Sequence, residues 1–304
     1  MNSTTFAKVI VNPAAGAGKS GKVWPEIMSM FKGNGMRFEH HLTEAPGHAI
    51  ELACEAAKQG YEMVVAVGGD GTIHEIVNGL YASGCLGDAL LGIVSTGTGS
   101  DYMRTVGVSR NYQEACRSFM SPKIRAVDLG KIEYNKNGIK QERLFVNFAG
   151  SGFDAEIARR TQQSKLLNPL ISYLVAALTT LVTYKNKDII LKLDGEESTR
   201  KVCTVIMNNG RYGGGGMFTA PLAELSDGIF DVMIVGDISK PDFLVSLPRL
   251  YKGTHVTHPK VTMKRAKEIE ISSTKKMMLQ ADGEVLGELP ARISVMPLAL
   301  NIIV

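Results

Sequence analysis

Val64-Val65-Ala66-Val67-Gly68-Gly69-Asp70-Gly71-Thr72 is the stretch that decides the fold of this chain. Its first four residues are a short apolar run rich in β-branched side chains, the pattern of a strand buried on both faces. The run ends abruptly in glycines, and Ile73, Ile76, Val77 and Leu80 follow at helical spacing. A strand, a glycine turn and a helix N-terminus together make an anion site. Gly68, Gly69 and Gly71 let backbone N–H groups approach a phosphate, and the helix dipole favours negative charge there. Asp70 is out of place against a bare phosphate but fits where a divalent cation or a water lies between. The plainer reading is a strand-to-helix turn in which the glycines serve geometry and Asp70 caps the helix.

Bulk properties bound what surrounds this turn. A chain of 304 residues is long enough for two domains that each bury a core. The net charge of +4 is too weak to argue for nucleic acid and is compatible with an anionic surface or ligand. Cys54, Cys85, Cys116 and Cys203 stand far apart without a CxxC pair, so they read as buried thiols in a reducing compartment. No charged segment followed by an apolar one opens the chain, and a cytoplasmic location is expected. The apolar stretch Leu166 to Thr183 is broken by Asn168, Pro169 and Ser172, short of the roughly 20 apolar residues of a spanning helix. It predicts a mostly buried helix from about Pro169 to Tyr184. The competing reading is a helix that lines a lipid cleft or touches a bilayer, with Arg159, Arg160, Lys165, Lys185 and Lys187 at lipid headgroups.

In chain order, the strand Ala7 to Val11 runs into Asn12-Pro13-Ala14-Ala15-Gly16-Ala17-Gly18-Lys19-Ser20. A Walker A loop requires glycine where Pro13 stands, so this is not a P-loop. A glycine loop there can still lie against phosphates, with Lys19 or Lys22 as the point charge; the plainer reading is a flexible turn with solvated lysines. A helix from Val23 to Gly33 and a strand from Arg37 to Leu42 follow, and Thr43 is placed to cap the next helix. After the glycine-loop strand and its helix, Leu90 to Val94 predicts a further strand, ending in the polar glycine turn Ser95 to Asp101. Strands alternating with helices predict a parallel α/β sheet with ligand loops at the strand carboxyl ends.

The texture changes after about Ala126. Short strands dominate, among them VDLGKIEY, LFVNFAG, IILKLDG, KVCTVIMNN and KMMLQADGE, with hairpin signals at Lys136-Asn137-Gly138 and Asp194-Gly195-Glu196. Helices are expected only around 155–184 and 240–253. The fold class is therefore α/β plus β: an N-terminal parallel α/β nucleotide-binding domain, residues 1–130, and a C-terminal β-sandwich domain, residues 131–294. A last strand, about 295–304, is expected to return to the first domain.

The Gly-Gly-Asp-Gly-Thr turn resembles the nucleotide loop shared by diacylglycerol kinase-like lipid kinases, NAD kinases and 6-phosphofructokinases. The order of motifs across nearly the whole chain resembles the bacterial diacylglycerol kinase-like lipid kinase family. Those motifs are Val11-Asn12-Pro13, Thr43-Glu44, Gly68 to Thr72, Gly97-Thr98 with Asp101, Val127-Asp128-Leu129-Gly130 and Gly150 to Asp154. They continue with Gly210 to Met217, Ser226-Asp227-Gly228-Ile229-Phe230-Asp231-Val232, His255 to Val261, and Ala281-Asp282-Gly283-Glu284. The resemblance implies ATP contacts at Thr43, at Gly68, Gly69, Asp70, Gly71, Thr72, Ile73 and His74, and at Thr98. It implies a Mg²⁺ held by the Asp227 carboxylate with the main-chain carbonyls of Glu224 and Ile229. It implies Glu284 as the proton acceptor. His74 and Ser100 stand where the family commonly has Asn, which puts nucleotide preference in doubt.

Phosphoryl transfer needs positioned phosphates, a metal to neutralise charge and a base for the attacking hydroxyl. The glycine loops at 16–18, 68–71 and 97–99 supply the first, and Asp70, with Asp101 and Asp128, supplies carboxylates for a catalytic Mg²⁺. The plainer reading of Asp227-Gly228 and Asp282-Gly283 is two hairpin turns with solvated acids; His255 and His258 read as structural. The expected activity is ATP- and Mg²⁺-dependent phosphorylation of a lipid hydroxyl, most naturally that of diacylglycerol, in the cleft between domains. The alternatives are an NAD kinase and a lipid- or nucleotide-binding protein without catalysis. The partners expected are a lipid at a membrane surface, with peripheral contact at the inner face, and no nucleic acid; a homodimer stays open.

Overall fold

A computed structural model describes residues 6–97, 99–164 and 169–304. The chain divides into two compact units, Met1–Leu129 with Pro297–Val304, and Gly130–Met296.

The first unit contains β1 (Phe6–Val11), α1 (Lys19–Gly33), β2 (Arg37–Leu42), α2 (His48–Lys58), β3 (Met63–Gly68) and α3 (Asp70–Ser83). Then come β4 (Leu90–Ser95) and the short helices α4 (Asp101–Val106) and α5 (Tyr112–Ser118). β1 pairs in parallel with β2 and β3, and β3 with β4, giving the order β2-β1-β3-β4. Asn301 and Ile302 at the chain end add in parallel to Leu90 and Leu91 of β4. All six residues of β3 are buried, as its unbroken apolar run requires of a strand covered on both faces. In such a sheet the strand order reverses between β1 and β3, and ligands collect beyond the carboxyl ends there.

Two expectations in this unit are corrected. α1 begins at Lys19, a turn before Val23, because Gly16, Ala17 and Gly18 all have positive φ (62°, 55° and 85°) and turn the chain straight into the helix. Ser20, Trp24, Ile27 and Phe31 then form its buried stripe. Thr43 does not cap α2. Its N–H donates to the Val11 carbonyl at 2.8 Å, prolonging the β1–β2 ladder, and α2 starts after Gly47 instead. The Glu75 carboxylate on α3 accepts the Gly47 and Ala49 N–H groups at 2.9 and 3.1 Å, taking over the capping.

The second unit is a β-sandwich. Its elements are β5 (Ile124–Lys136), which enters from the first unit, β6 (Ile139–Phe145), β7 (Phe148–Gly152), α6 (Phe153–Gln163), α7 (Pro169–Thr183), β8 (Lys187–Leu193) and β9 (Glu196–Asn208). They continue with β10 (Phe230–Gly236), α8 (Lys240–Lys252), β11 (Val261–Ala266), β12 (Glu268–Ser272), β13 (Met278–Ala281), β14 (Glu284–Glu288) and β15 (Ala291–Ile303). β9 is shared: its first half pairs with β8, and its second half lies between β7 and β10. Alternation along β10 shows the layering. Phe230, Val232 and Ile234 enter the sandwich core, whereas Met233 and Val235 pack under the helices with Phe153, Ile157 and Ala176. Asn137-Gly138, Asp194-Gly195 and Asp282-Gly283 all have positive φ and close the two-residue hairpins β5–β6, β8–β9 and β13–β14.

The segment LFVNFAG, expected as one strand, is two. Asp282 accepts the N–H groups of Val146, Asn147 and Phe148 at 2.8, 3.0 and 3.0 Å, which breaks the strand between β6 and β7. The expected buried helix forms as α7, but it is not mostly buried. Ser172, Ala176 and Thr180 face inward, while Ile171, Val175, Leu178 and Val182 are exposed. Lys165 and residues 166–168 lie outside the described residues. Among those described, no helix is long and apolar enough to cross a membrane.

Candidate active site

In the first unit, the three glycine loops meet beyond the carboxyl ends of β1, β3 and β4. The Gly68 carbonyl accepts the N–H groups of Thr96 and Gly97 at 2.8 and 3.3 Å. A Cβ on Gly97 would stand 2.7 Å from the Gly69 Cα, and one on Gly16 would stand 2.2 Å from the Thr96 carbonyl oxygen. Only hydrogen allows these backbones to approach so closely. Asn12 ties the first loop to the second, its Nδ2 donating to the Thr72 hydroxyl at 3.2 Å. α3 starts at Asp70 behind Gly69, which offers no side-chain cap, so the helix N-terminus faces this cradle. The Asp70 carboxylate accepts the Asp101 N–H at 3.0 Å, which joins the loops after β3 and β4 through a side chain.

The other residues expected around the nucleotide are spread about this cradle. Thr43 directly follows β2, and Ile73 and His74 are buried on α3, with Asn78 donating to the His74 carbonyl at 2.8 Å. Thr98 lies outside the described residues. Ser100 has φ 52° and shares a 2.7 Å hydroxyl contact with Ser95. Asp128 is fully buried and accepts the Leu298 N–H at 2.7 Å, so its carboxylate serves the crossing of the chain.

The cradle gives a direct test of its own. Gly97→Ala forces a methyl group against the Gly69 backbone, an overpacking expected to cost about 1–3 kcal/mol of stability and to loosen ATP binding. Thermal unfolding and an ATP titration check this. An unchanged Tm with unchanged affinity would contradict the close approach.

In the second unit, Glu284 opens β14 immediately after the Asp282-Gly283 turn. Arg143 of β6 donates from Nη2 to its Oε2 at 2.6 Å, and the two side chains are only 23% and 33% exposed. The turn itself is anchored by the three backbone donors that Asp282 accepts, so the base candidate stands on a braced hairpin. His255 and His258 are structural, as expected. His255 is buried with Nε2 3.0 Å from the Thr219 carbonyl, and burial lowers its pKa; His258 pairs with Asp242 at 3.2 Å.

Asp227, Glu224 and Ile229 lie on the turn leading into β10. Arg265 donates to the Asp227 carboxylate and lies 4.0 Å from that of Asp231. Asp231 is 6% exposed, its Oδ2 lacks a hydrogen-bond partner, and burial raises its pKa, with Arg265 opposing and Asp227 and Glu224 reinforcing. A buried carboxylate oxygen short of a donor, beside a second carboxylate, suits a hard cation with oxygen ligands. Among the described residues no three His, Cys, Asp or Glu side chains converge as a metal set, so main-chain oxygens would have to complete the shell.

Comparison with known proteins bears on both units. Residues 7–132 match the diacylglycerol kinase catalytic domain, and residues 147–304 match the YegS C-terminal NAD kinase beta sandwich-like domain. A Bacillus subtilis protein named as a lipid kinase, YtlR, is 31% identical over 96% of this chain and 97% of its own. The chain belongs to the diacylglycerol kinase-like lipid kinase family. It is a lipid kinase, and membership implies ATP as the phosphoryl donor. The diacylglycerol kinase of Bacillus subtilis is 28% identical over 93% of this chain and 91% of its own; that of Mycobacterium tuberculosis is 29% identical over 97% and 93%. A crystal structure of a Bacillus anthracis diacylglycerol kinase matches with a TM-score of 0.74 at 23% identity, covering 98% of this chain and 96% of that one. That likeness shows the shared fold.

Several residues around the candidate sites were not singled out by sequence reading. Asn12, Asp154 and Asp231 stand inside quoted motifs, a signal that could have found them. Glu75, Arg143 and Gln280 had no such signal: each acts on a residue more than 25 positions away, through a contact that only the folded chain creates.

Proposed function

We propose that this lipid kinase transfers the γ-phosphate of ATP, with Mg²⁺, to the hydroxyl of diacylglycerol, giving phosphatidic acid. The observation that carries the donor half is the glycine cradle, where the loops come too close to leave room for a Cβ on Gly16 or Gly97, around the N-terminus of α3 and Asp70. Backbone N–H groups there would orient the phosphates, and Asp70 would hold a cation at them. A second cation would take Asp227 and the carbonyls of Glu224 and Ile229. Bound Mg²⁺ supplies neutralisation of the charge that builds on the phosphoryl oxygens. Glu284, held by Arg143 on its braced turn, accepts the proton of the attacking hydroxyl. The choice of diacylglycerol rests on the names of the relatives that match over nine-tenths of both chains.

Access to such a substrate is explained by α7. Ile171, Val175, Leu178 and Val182 make a continuous exposed apolar stripe on one face of that helix. Basic groups flank it: Arg160 donates to Thr183 at its end, and Lys240 donates to the Val182 carbonyl. An apolar stripe with a basic margin suits an anionic bilayer, so the enzyme would collect its substrate from the membrane surface. Replacing Leu178 and Val182 together by glutamate should abolish co-sedimentation with vesicles containing phosphatidylglycerol, without lowering Tm. Undiminished co-sedimentation would place the membrane contact elsewhere.

The activity itself is tested with γ-labelled ATP and Mg²⁺, offering diacylglycerol, a sphingoid base, ceramide, a polyprenol and NAD, and resolving the products. Labelled phosphatidic acid is expected. Transfer to another acceptor alone would overturn the choice of diacylglycerol, and transfer to NAD alone would overturn the lipid reading.

A further inference from the structure

The turn that carries Glu284 is held by a chain of side chains unrelated to the donor site. Gly283 donates its N–H to Gln280 Oε1 at 2.8 Å, and Gln162 of α6 donates to the Gly283 carbonyl at 3.3 Å. Gln280, 2% exposed, donates from Nε2 to Asp154 Oδ2 at 3.0 Å. The other oxygen of Asp154 accepts from the Thr204 hydroxyl at 2.5 Å. Backbone is sacrificed to fit this pair. A Cβ on Gly150, the residue opposite Gln280 in the β7–β13 ladder, would stand 1.7 Å from Asp154 Oδ2 and 2.9 Å from Gln280 Nε2. A glutamine amide is suited to the place because it accepts from the turn with one end and donates to a carboxylate with the other.

We propose that Gln280, oriented by Asp154, is a positioning residue for Glu284: it fixes the Gly283 peptide and so the direction from which the carboxylate meets the acceptor hydroxyl. This rests on Glu284 being the proton acceptor. A base works only within hydrogen-bond reach of its proton, and small misplacements lose rate steeply. Burial raises the pKa of Asp154, with Thr204 and Gln280 opposing, so the amide offsets part of the cost of a carboxylate here. Burial, with the Asp154 carboxylate adding to it, pushes Cys203 of β9 up to about 12 and raises Tyr184 after α7, so both stay neutral.

The test is a double-mutant cycle on the full chain with Mg-ATP and diacylglycerol vesicles, reading kcat, KM for ATP and Tm. Gln280→Ala should lower kcat by about 10–10²-fold and leave KM for ATP unchanged. Combined with Glu284→Gln it should add nothing, because a group that acts through another has no effect once that one is gone. A further, additive loss in the double variant would overturn the positioning role while leaving the base intact. An undiminished kcat in Glu284→Gln alone would instead overturn the base, and this inference with it. Should Gln280→Ala fail to fold, Gln280→Glu decides. Its carboxyl keeps the acceptor for Gly283 but needs a shared proton to donate to Asp154, so activity should fall as pH rises and that proton is lost, a limb that the native amide does not give. A pH profile parallel to the native one would overturn the proposal.

Discussion

Glu284→Gln should lower kcat by about 10²–10⁴-fold, the usual worth of general-base assistance, with ATP affinity unchanged. An alcohol is a poor nucleophile near neutral pH, and the amide keeps the size and the hydrogen-bonding capacity of the carboxylate while removing the base. The Arg143 guanidinium, 2.6 Å from Oε2, can still donate to the amide oxygen, so the hairpin should hold its shape. Asp282→Asn is the control. Its carboxylate accepts three backbone N–H groups, and an amide cannot accept at both ends, so its first effect should be on Tm. Leaving such a donor unsatisfied costs about 1–3 kcal/mol. Steady-state rates, ATP titration and thermal unfolding on both variants separate the roles. A larger loss of kcat at Asp282 with Tm intact would transfer the base to that residue.

For Asp70→Asn a loss of about 10²–10³-fold in kcat is expected, in the range seen when one electrostatic contact to a reacting centre is removed. The amide side chain retains an oxygen for the Asp101 N–H, so the two loops should stay joined and Tm should change little. What goes is the negative charge at the N-terminus of α3, where a cation over the phosphates would need it. Raising Mg²⁺ should restore little of the rate. If Asp70 were only a first-turn acid, its neutralisation would cost about 0.3–1 kcal/mol of helix stability and no turnover. A near-native kcat together with a lowered Tm would establish that plainer role.

Much of this was readable before folding, because much of it is local. Val64 to Val67 can only be a doubly covered strand, and the glycines after it can only be a turn into a helix; periodicity then carries the α/β pattern through β1 to β4. The change to short strands after Ala126 and the Asn137-Gly138 and Asp194-Gly195 turns likewise state a β-rich second half, since positive φ at such pairs is a property of the residues themselves. Asp70 and Glu284 were each named from a short motif, Gly68 to Thr72 and Ala281 to Glu284, whose own residues are neighbours in sequence.

Long-range contacts decided the rest. Thr43 has the chemistry of a helix cap, yet the β1–β2 ladder claims its N–H and Glu75, far along the chain, caps α2 instead. LFVNFAG has strand propensity throughout, yet Asp282 withdraws three donors from the ladder and breaks it. α7 has the composition of a buried helix; only the position of the sheet and α6 determines that one face is covered and the other left exposed. Composition and period are summed over neighbours in sequence, so they fix which elements form and which turns carry glycine. The partner of a carboxylate, the direction of an amide and the exposed side of a helix depend on atoms brought together from distant positions, and those are set only when the chain packs.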